Sequence, residues 1–330
     1  MSDAVVRTEG WRRLPAALLP ILAVALAYYA GGLIGLYQRV VVDGAEVTPL
    51  WLPTGVAVTA LLWLGLRAWP GIALGTYLTI ERIADFDPPG LIIVAGNVLA
   101  PVCAYLMLRR AGFRTELDRL RDALALVFLG GLWPMLISAT IGTWTLVLTG
   151  DLPLSQFWPV WSAWWAGDAM GVLVLTPLLL VLRRVVTARR PLDGYRAAEA
   201  AALAVTAVVV TLVATRSSLS LLFLVFPVII WAAVRFQLAG SAPVTLLVSV
   251  LTISAATDHA GPFAEHSLLE VMINLQALNG AAALTGLLLA ALVTEQNNVR
   301  LKIEQVCEDL AELVEHLAPG TSDRWTEPDD

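Results

Sequence analysis

Charge is scarce in this chain: Asp, Glu, Lys and Arg make up 15% of its 330 residues, against about a quarter in soluble domains. Cysteine is nearly absent. Cys103 lies inside an apolar run and Cys307 near the C-terminal end, so an intramolecular disulfide framework is excluded. Histidine is limited to three residues. His259 and His266 sit beside Asp258 and Glu265, but a spacing of seven with Gly261-Pro262 between them fits no metal-ligand pattern. Also missing are a Gly-rich phosphate loop, GxSxG, HExxH, and any kinase or cyclase signature. No catalytic residue, cofactor, metal or nucleic-acid partner is therefore expected, and an enzyme would have to hide its chemistry inside a membrane. No small-residue cleavage site follows the apolar run from Leu14, which reads as a retained first helix rather than a signal peptide.

What is present is apolar: 58% of residues belong to the AVILMFWYC set, too many for a water-soluble core. The fold class is all-α, a polytopic transmembrane helical bundle. A hydrocarbon core of about 30 Å needs about 20 apolar residues per helix. Ten candidate spans are read at 14–38, 50–66, 69–84, 90–109, 123–149, 158–182, 197–215, 219–235, 240–257 and 268–293. The second and third are the least separable, being joined by a short turn from Arg67 to Pro70, and eight is the alternative count. With the N-terminus inside, 18 of the 21 basic residues fall on the cytoplasmic side, while nine carboxylates face out. That asymmetry demands an even number of spans with both termini cytoplasmic. The chain divides into a cytoplasmic segment 1–13, an integral-membrane domain 14–293, a cytoplasmic helix 294–318 and a disordered tail 319–330. No duplicated five-helix half is found.

Asp168 is the one carboxylate placed well inside a span, and it follows Trp164 and Trp165 directly. An intramembrane charge faces a bundle interior or a wet cavity and has a partner. A ligand or proton site and a carboxylate satisfied by a neighbouring helix are level readings. Arg235, Asn97 and Gln276 are its candidate partners. Depth disfavours Arg235, and Asn97 and Gln276 suit hydrogen bonding between helices. Phe157, Trp158 and Trp161 suit an interfacial aromatic belt, which does not account for the inward pair Trp164 and Trp165. Prolines in or beside the spans read as ordinary kinks.

After the last span, Val299, Ile303, Val306, Leu310, Leu313 and Leu317 recur at alternating spacings of four and three. This is a heptad seam. It offers a lever to a partner or to a second copy through 299–317, and its acidic neighbours Glu304, Glu308, Asp309, Glu312 and Glu315 weaken self-pairing. A solvated amphipathic helix on a neighbour is an equal alternative.

Several stretches taken in order resemble a family. They are Trp51-Leu52-Pro53-Thr54-Gly55, Leu64-Gly65-Leu66-Arg67-Ala68-Trp69-Pro70-Gly71, Gly96-Asn97, Trp164-Trp165-Ala166-Gly167-Asp168-Ala169-Met170-Gly171, Phe226-Pro227 through Arg235-Phe236, Gly261-Pro262-Phe263 and Leu284-Thr285-Gly286. Together they are similar to the membrane-associated sensor domain of the first MASE type, a bacterial integral-membrane sensory module. The resemblance spans nearly all of 14–296. It implies a sensor in the bacterial inner membrane that perceives a stimulus and passes it out through the last helix, as the family does to kinase or cyclic-dinucleotide output modules. The candidate signal residues are Asp168, Trp164, Trp165, Asn97, Trp51, Arg235 and Gln276. The 37 residues after Val293 are fewer than an independent output domain needs, so either the signal reaches a separate cytoplasmic kinase or cyclic-dinucleotide enzyme through the last helix, or the chain no longer signals by the family's route. A small-solute transporter or channel is the alternative function.

Overall fold

A computed structural model describes residues 3–37, 40–42, 45–83, 88–188, 193–217, 219, 221–258, 260–264 and 268–317. The described chain is overwhelmingly helical. Helix α1 spans Asp3–Tyr37, α2 Leu52–Leu64, α3 Trp69–Ile83, α4 Pro88–Arg110, α5 Leu120–Ala125, α6 Met135–Thr149, α7 Phe157–Ala188, α8 Gly194–Arg216, α9 Val225–Thr257 and α10 Leu268–Leu317. A two-stranded hairpin, β1 Val40–Val42 and β2 Ala45–Val47, links α1 to α2. His259, His266 and the tail 319–330 lie outside the described residues.

Eight helical stretches are long and apolar enough to cross a membrane. The chain is a multi-pass membrane protein. Two of the eight, Leu52–Ile83 and Leu222–Thr257, are folded back on themselves, which reconciles them with the ten runs read from the sequence. In the first, Gly65 has a φ of +68° and ends α2 by sending its N–H to Leu61 O. Gly31 of α1 then lies against Leu52 and Pro53, while its neighbour Gly32 lies against Thr79. The start of α2 and the end of α3 therefore sit at one level, and the chain has reversed between them. At 13 and 15 residues these limbs are about 20–22 Å long, short of a full hydrocarbon core.

The second reversal is at Gln237, whose φ of +49° and ψ of −136° interrupt α9. A Cβ on Gly240 would stand 2.9 Å from Ala232 O, so the second limb leaves back along the first and only a glycine passes. Gly286 of α10 touches Ile229 on one limb and Ser241 and Thr245 on the other. Hairpins of this kind keep every backbone group bonded inside short helices, the condition for crossing lipid.

Between α5 and α6 the chain widens into a π-helical stretch, Leu126–Leu132, where Trp133 N–H reaches back five residues to Phe128 O at 3.0 Å. Pro134 follows and brings no N–H of its own. The Leu132 carbonyl is taken by the Trp165 indole N–H at 2.8 Å.

The tightest packing joins the entry to α2 with α7. A Cβ on Gly171 would stand 1.9 Å from Trp51 O, one on Gly55 2.2 Å from Gly171 O, and one on Gly167 2.4 Å from Thr48 O. Backbone thus rests on backbone, sealed by Trp51 N–H donating to Gly167 O at 3.0 Å and by Thr176 Oγ1 donating to Gly55 O at 3.2 Å. Overpacking costs about 1–3 kcal/mol even where a core yields, and here a rigid carbonyl is in the way. Gly171→Val is expected to lower the unfolding free energy in detergent by at least that amount, seen as a lower unfolding midpoint, or to abolish monodisperse protein. Gly194→Ala, whose Cβ meets nothing within 4 Å, leaves the midpoint unchanged. Equal behaviour of the two variants would refute the packing role.

Candidate functional site

The glycine contact delivers Thr54 to Asp168. Asp168 is 1% exposed and Thr54 4%, and Thr54 Oγ1 donates to Asp168 Oδ1 at 2.5 Å. From α6, Ser138 Oγ donates to Oδ2 at 2.6 Å. The Trp164 ring lies where Gly142 leaves room, since a Cβ there would stand 2.4 Å from it. The carboxylate of α7 is thus held by neutral donors from two other helices. The N-terminal turn of α2, whose orphan N–H groups carry partial positive charge, faces the same region.

Trp51 extends this network into α1 and α3. Its side chain hydrogen-bonds the hydroxyl of Tyr28, which also bonds Thr76. Tyr28 is 1% exposed, seated where Gly75 brings a Cβ position within 2.6 Å of the tyrosine Cβ. Thr76 Oγ1 in turn donates to Ile72 O at 2.8 Å. Five helices are tied through one polar stratum.

Of the residues read as candidates, Asp168, Trp164 and Trp51 come together here. Trp165 sits one step along α7, donating to Leu132 O and stacking on Trp161 with ring centroids 6.1 Å apart. The candidate partners of Asp168 lie elsewhere. Asn97 donates to Ile93 O of its own helix at 3.0 Å, as a buried amide in a helix readily does. Arg235 forms a two-pronged pair with Glu199 of α8, at 2.6 and 2.8 Å. Gln276 is on α10, and its amide atoms are buried without a partner. The actual partners, Thr54 and Ser138, are small, ordinary membrane residues. Thr54 stood inside a recognisable stretch, but Ser138 carries no local signal beyond following Pro134.

The second candidate region is the arginine-rich end of the bundle. The loop 111–119 is clamped there from two helices: Arg184 of α7 donates to Glu116 O at 2.7 Å, and Glu295 of α10 accepts from Leu120 N–H at 2.8 Å. Glu295 therefore caps α5, which has no cap of its own. Arg183 lies over the Trp63 ring at 5.2 Å. Beyond Glu295, α10 leaves the bundle. Val299, Ile303, Val306, Leu310 and Leu313 are 52–59% exposed, and the Leu317 side chain lies outside the described residues. The last span and the heptad-patterned segment form one helix of 50 residues.

Comparison with known proteins agrees with this arrangement. The probable diguanylate cyclase DgcE of Escherichia coli (strain K12) is 28% identical over 233 residues, covering 67% of this chain and 20% of that protein. The chain thus matches about a fifth of the length of that relative. No solved structure matches at a significant level. The MASE1 family matches residues 20–297, a stretch holding both the Asp168 network and the Glu295 cap, and the chain belongs to that family of membrane sensory domains.

Proposed function

We propose that this sensory domain works without catalysing a reaction of its own, reading its stimulus at the Asp168 stratum and passing it along α10 to a separate cytoplasmic protein, a kinase or a cyclic-dinucleotide enzyme. The observation that carries the reading is the continuity of α10. Its first half is buried in the bundle, where Gly280 lies against Met170 of the Asp168 helix. Its second half presents a bare apolar stripe. A rigid helix turns a small shift at one end into a displacement of the stripe at the other. The setting is the bacterial plasma membrane with both termini cytoplasmic, supported by the arginine-rich end from which α10 emerges. A transport reading finds less support, since both oxygens of Asp168 are engaged and the residue is 1% exposed.

The stripe is tested with Ile303→Asp combined with Leu310→Asp. Both side chains are more than half exposed, so insertion and unfolding midpoint stay unchanged while partner recovered from membranes falls at least about tenfold, the equivalent of about 1.4 kcal/mol. Undiminished recovery sinks the reading. Oxidative crosslinking through Cys307, exposed beside the stripe, separates the alternatives: a self-paired stripe gives a covalent dimer in membranes containing this chain alone, and a stripe reserved for another protein does not.

Asp168→Asn keeps the size of the side chain and turns an NH2 group toward one of its two hydroxyl donors. Loss of about 1–3 kcal/mol of stability is expected. Thr54→Val and Ser138→Ala each cost less, and each combined with Asp168→Asn is less than additive, because they share one carboxylate. Strict additivity in thermal unfolding contradicts the network. Solute uptake into liposomes is expected to be the same with Asp168→Asn as with the wild-type chain.

A further inference from the structure

The turn that ends α2 forms a step between two longer helices. Thr54 meets Asp168, and Gly55 meets Gly171 and Leu175, so α2 and α7 run in the same sense. Two turns further along both, Trp63 meets Arg183. Past that level α2 stops at Gly65 while α7 continues to Ala188. On the other flank stands α4. Its Tyr105 hydroxyl lies 3.6 Å from where Gly65 would carry a Cβ, and among the described residues such a Cβ meets nothing else within 4 Å. Helix α4 then runs on to Arg110. The step is open at the surface: Trp63, Leu64, Leu66, Arg67, Arg109 and Arg183 around it are all exposed.

The arginines of this step lack an anion. Elsewhere at this end arginines are engaged by the protein itself: Arg114 pairs with Glu116 and Asp118, Arg235 with Glu199, and Arg184 and Arg121 donate to the Glu116 and Ala111 carbonyls. Among the described residues Arg67, Arg109 and Arg183 form no ion pair. Arg183 lies instead over the Trp63 ring, 5.2 Å from its centroid. A guanidinium held on a ring face keeps its N–H edges free for a two-pronged oxyanion acceptor. Arg109 is one turn on from Tyr105 along the same face of α4, and Arg67 is two residues past Gly65 in the turn itself. Three segments thus bring one cation each to the border of one step.

We propose that Arg67, Arg109 and Arg183, with Trp63 ordering Arg183, seat the headgroup phosphate of an anionic phospholipid whose acyl chains lie along Leu64 and Leu66. Unpaired cations and exposed apolar side chains share a single turn, and a phospholipid carries its phosphate and its apolar chains on a single molecule. A soluble phosphate would leave the leucines bare. The headgroup must be net negative, because a zwitterionic lipid brings an ammonium that three guanidiniums repel. The seat stands apart from the Asp168 network and does not rest on the sensor reading, since it needs the membrane but no signal.

The test uses the full chain in mild detergent, offered equal amounts of phosphatidylglycerol and phosphatidylcholine with the same acyl chains, with retained lipid counted by native mass spectrometry. An arginine near an anionic lipid contributes about fivefold in binding, so phosphatidylglycerol is expected to be retained at least about tenfold over phosphatidylcholine, and Arg183→Gln to lower that preference about fivefold. Arg82→Gln removes the same charge at the other end of the hairpin and leaves the preference unchanged. Trp63→Leu, which keeps every charge and removes the ring under Arg183, is the second variant should Arg183→Gln fail to fold, and it too lowers the preference. Three outcomes overturn the seat: equal retention of the two lipids by the wild-type chain; a preference that Arg183→Gln leaves intact or that Arg82→Gln lowers as much, which would make it a property of net charge; or displacement of the bound lipid by excess inorganic phosphate, which would assign the arginines to a soluble anion.

Discussion

The backbone contact between residues 48–55 and α7 is the constraint on which the first half of the bundle depends. Three glycines, Gly55, Gly167 and Gly171, let carbonyls approach where any Cβ would collide. The approach places Thr54 on one oxygen of Asp168, leaves the other for Ser138, and positions Trp51 to reach Tyr28. A carboxylate with no cation among its bonded partners survives in an apolar interior only if donors are brought to it, because desolvation of the charge costs several kcal/mol. The glycines are the means of bringing them. Hydroxyl donors on α2 and α6 are fixed by packing, so the carboxylate in turn fixes the relative placement of three helices.

The second half of the bundle is organised differently. The α9 hairpin and α10 pack through small residues, with Gly240 and Gly286 at the crossings, and their polar side chains are not drawn to a charge. Ser249, Thr252 and Asn279 are buried there with polar atoms that have no partner. The two halves meet along α7 and α10, where Gly280 lies against Met170. Among the described residues, Glu295 marks the last point at which α10 is hydrogen-bonded to the body. Capping α5 from α10 ties the start of α5 to the helix that carries the apolar stripe.

Helical, multi-pass character was legible in the sequence because lipid restricts the backbone to a few solutions and hydrophobic length alone reports them. The uncertain boundary at Arg67 to Pro70 proved to be a real reversal; its signature was Gly65, a residue free to adopt a positive φ. The reversal at Gln237 had no such marker, since glutamine does not advertise a left-handed backbone. Asp168 could be found as an isolated charge and its neighbour Trp164 with it. Its partners could not, because threonine and serine are common in membrane helices and bond their own helix by default, as Thr59, Thr145 and Thr215 do here.

The sequence by itself determined that the chain lives in a membrane, which end carries the arginines, where an intramembrane carboxylate sits and that an apolar stripe follows the last span. Those properties are written in composition, charge and period, which need no knowledge of what touches what. Tertiary structure alone decided that Trp51-Leu52-Pro53-Thr54-Gly55 and Trp164 to Gly171 are one site, that Arg235 answers Glu199 instead of Asp168, and that the amide atoms of Gln276 are buried without a partner. Each is a matter of register between distant helices. Register is set by where backbones can approach, and a glycine reveals that only when its neighbour is in place.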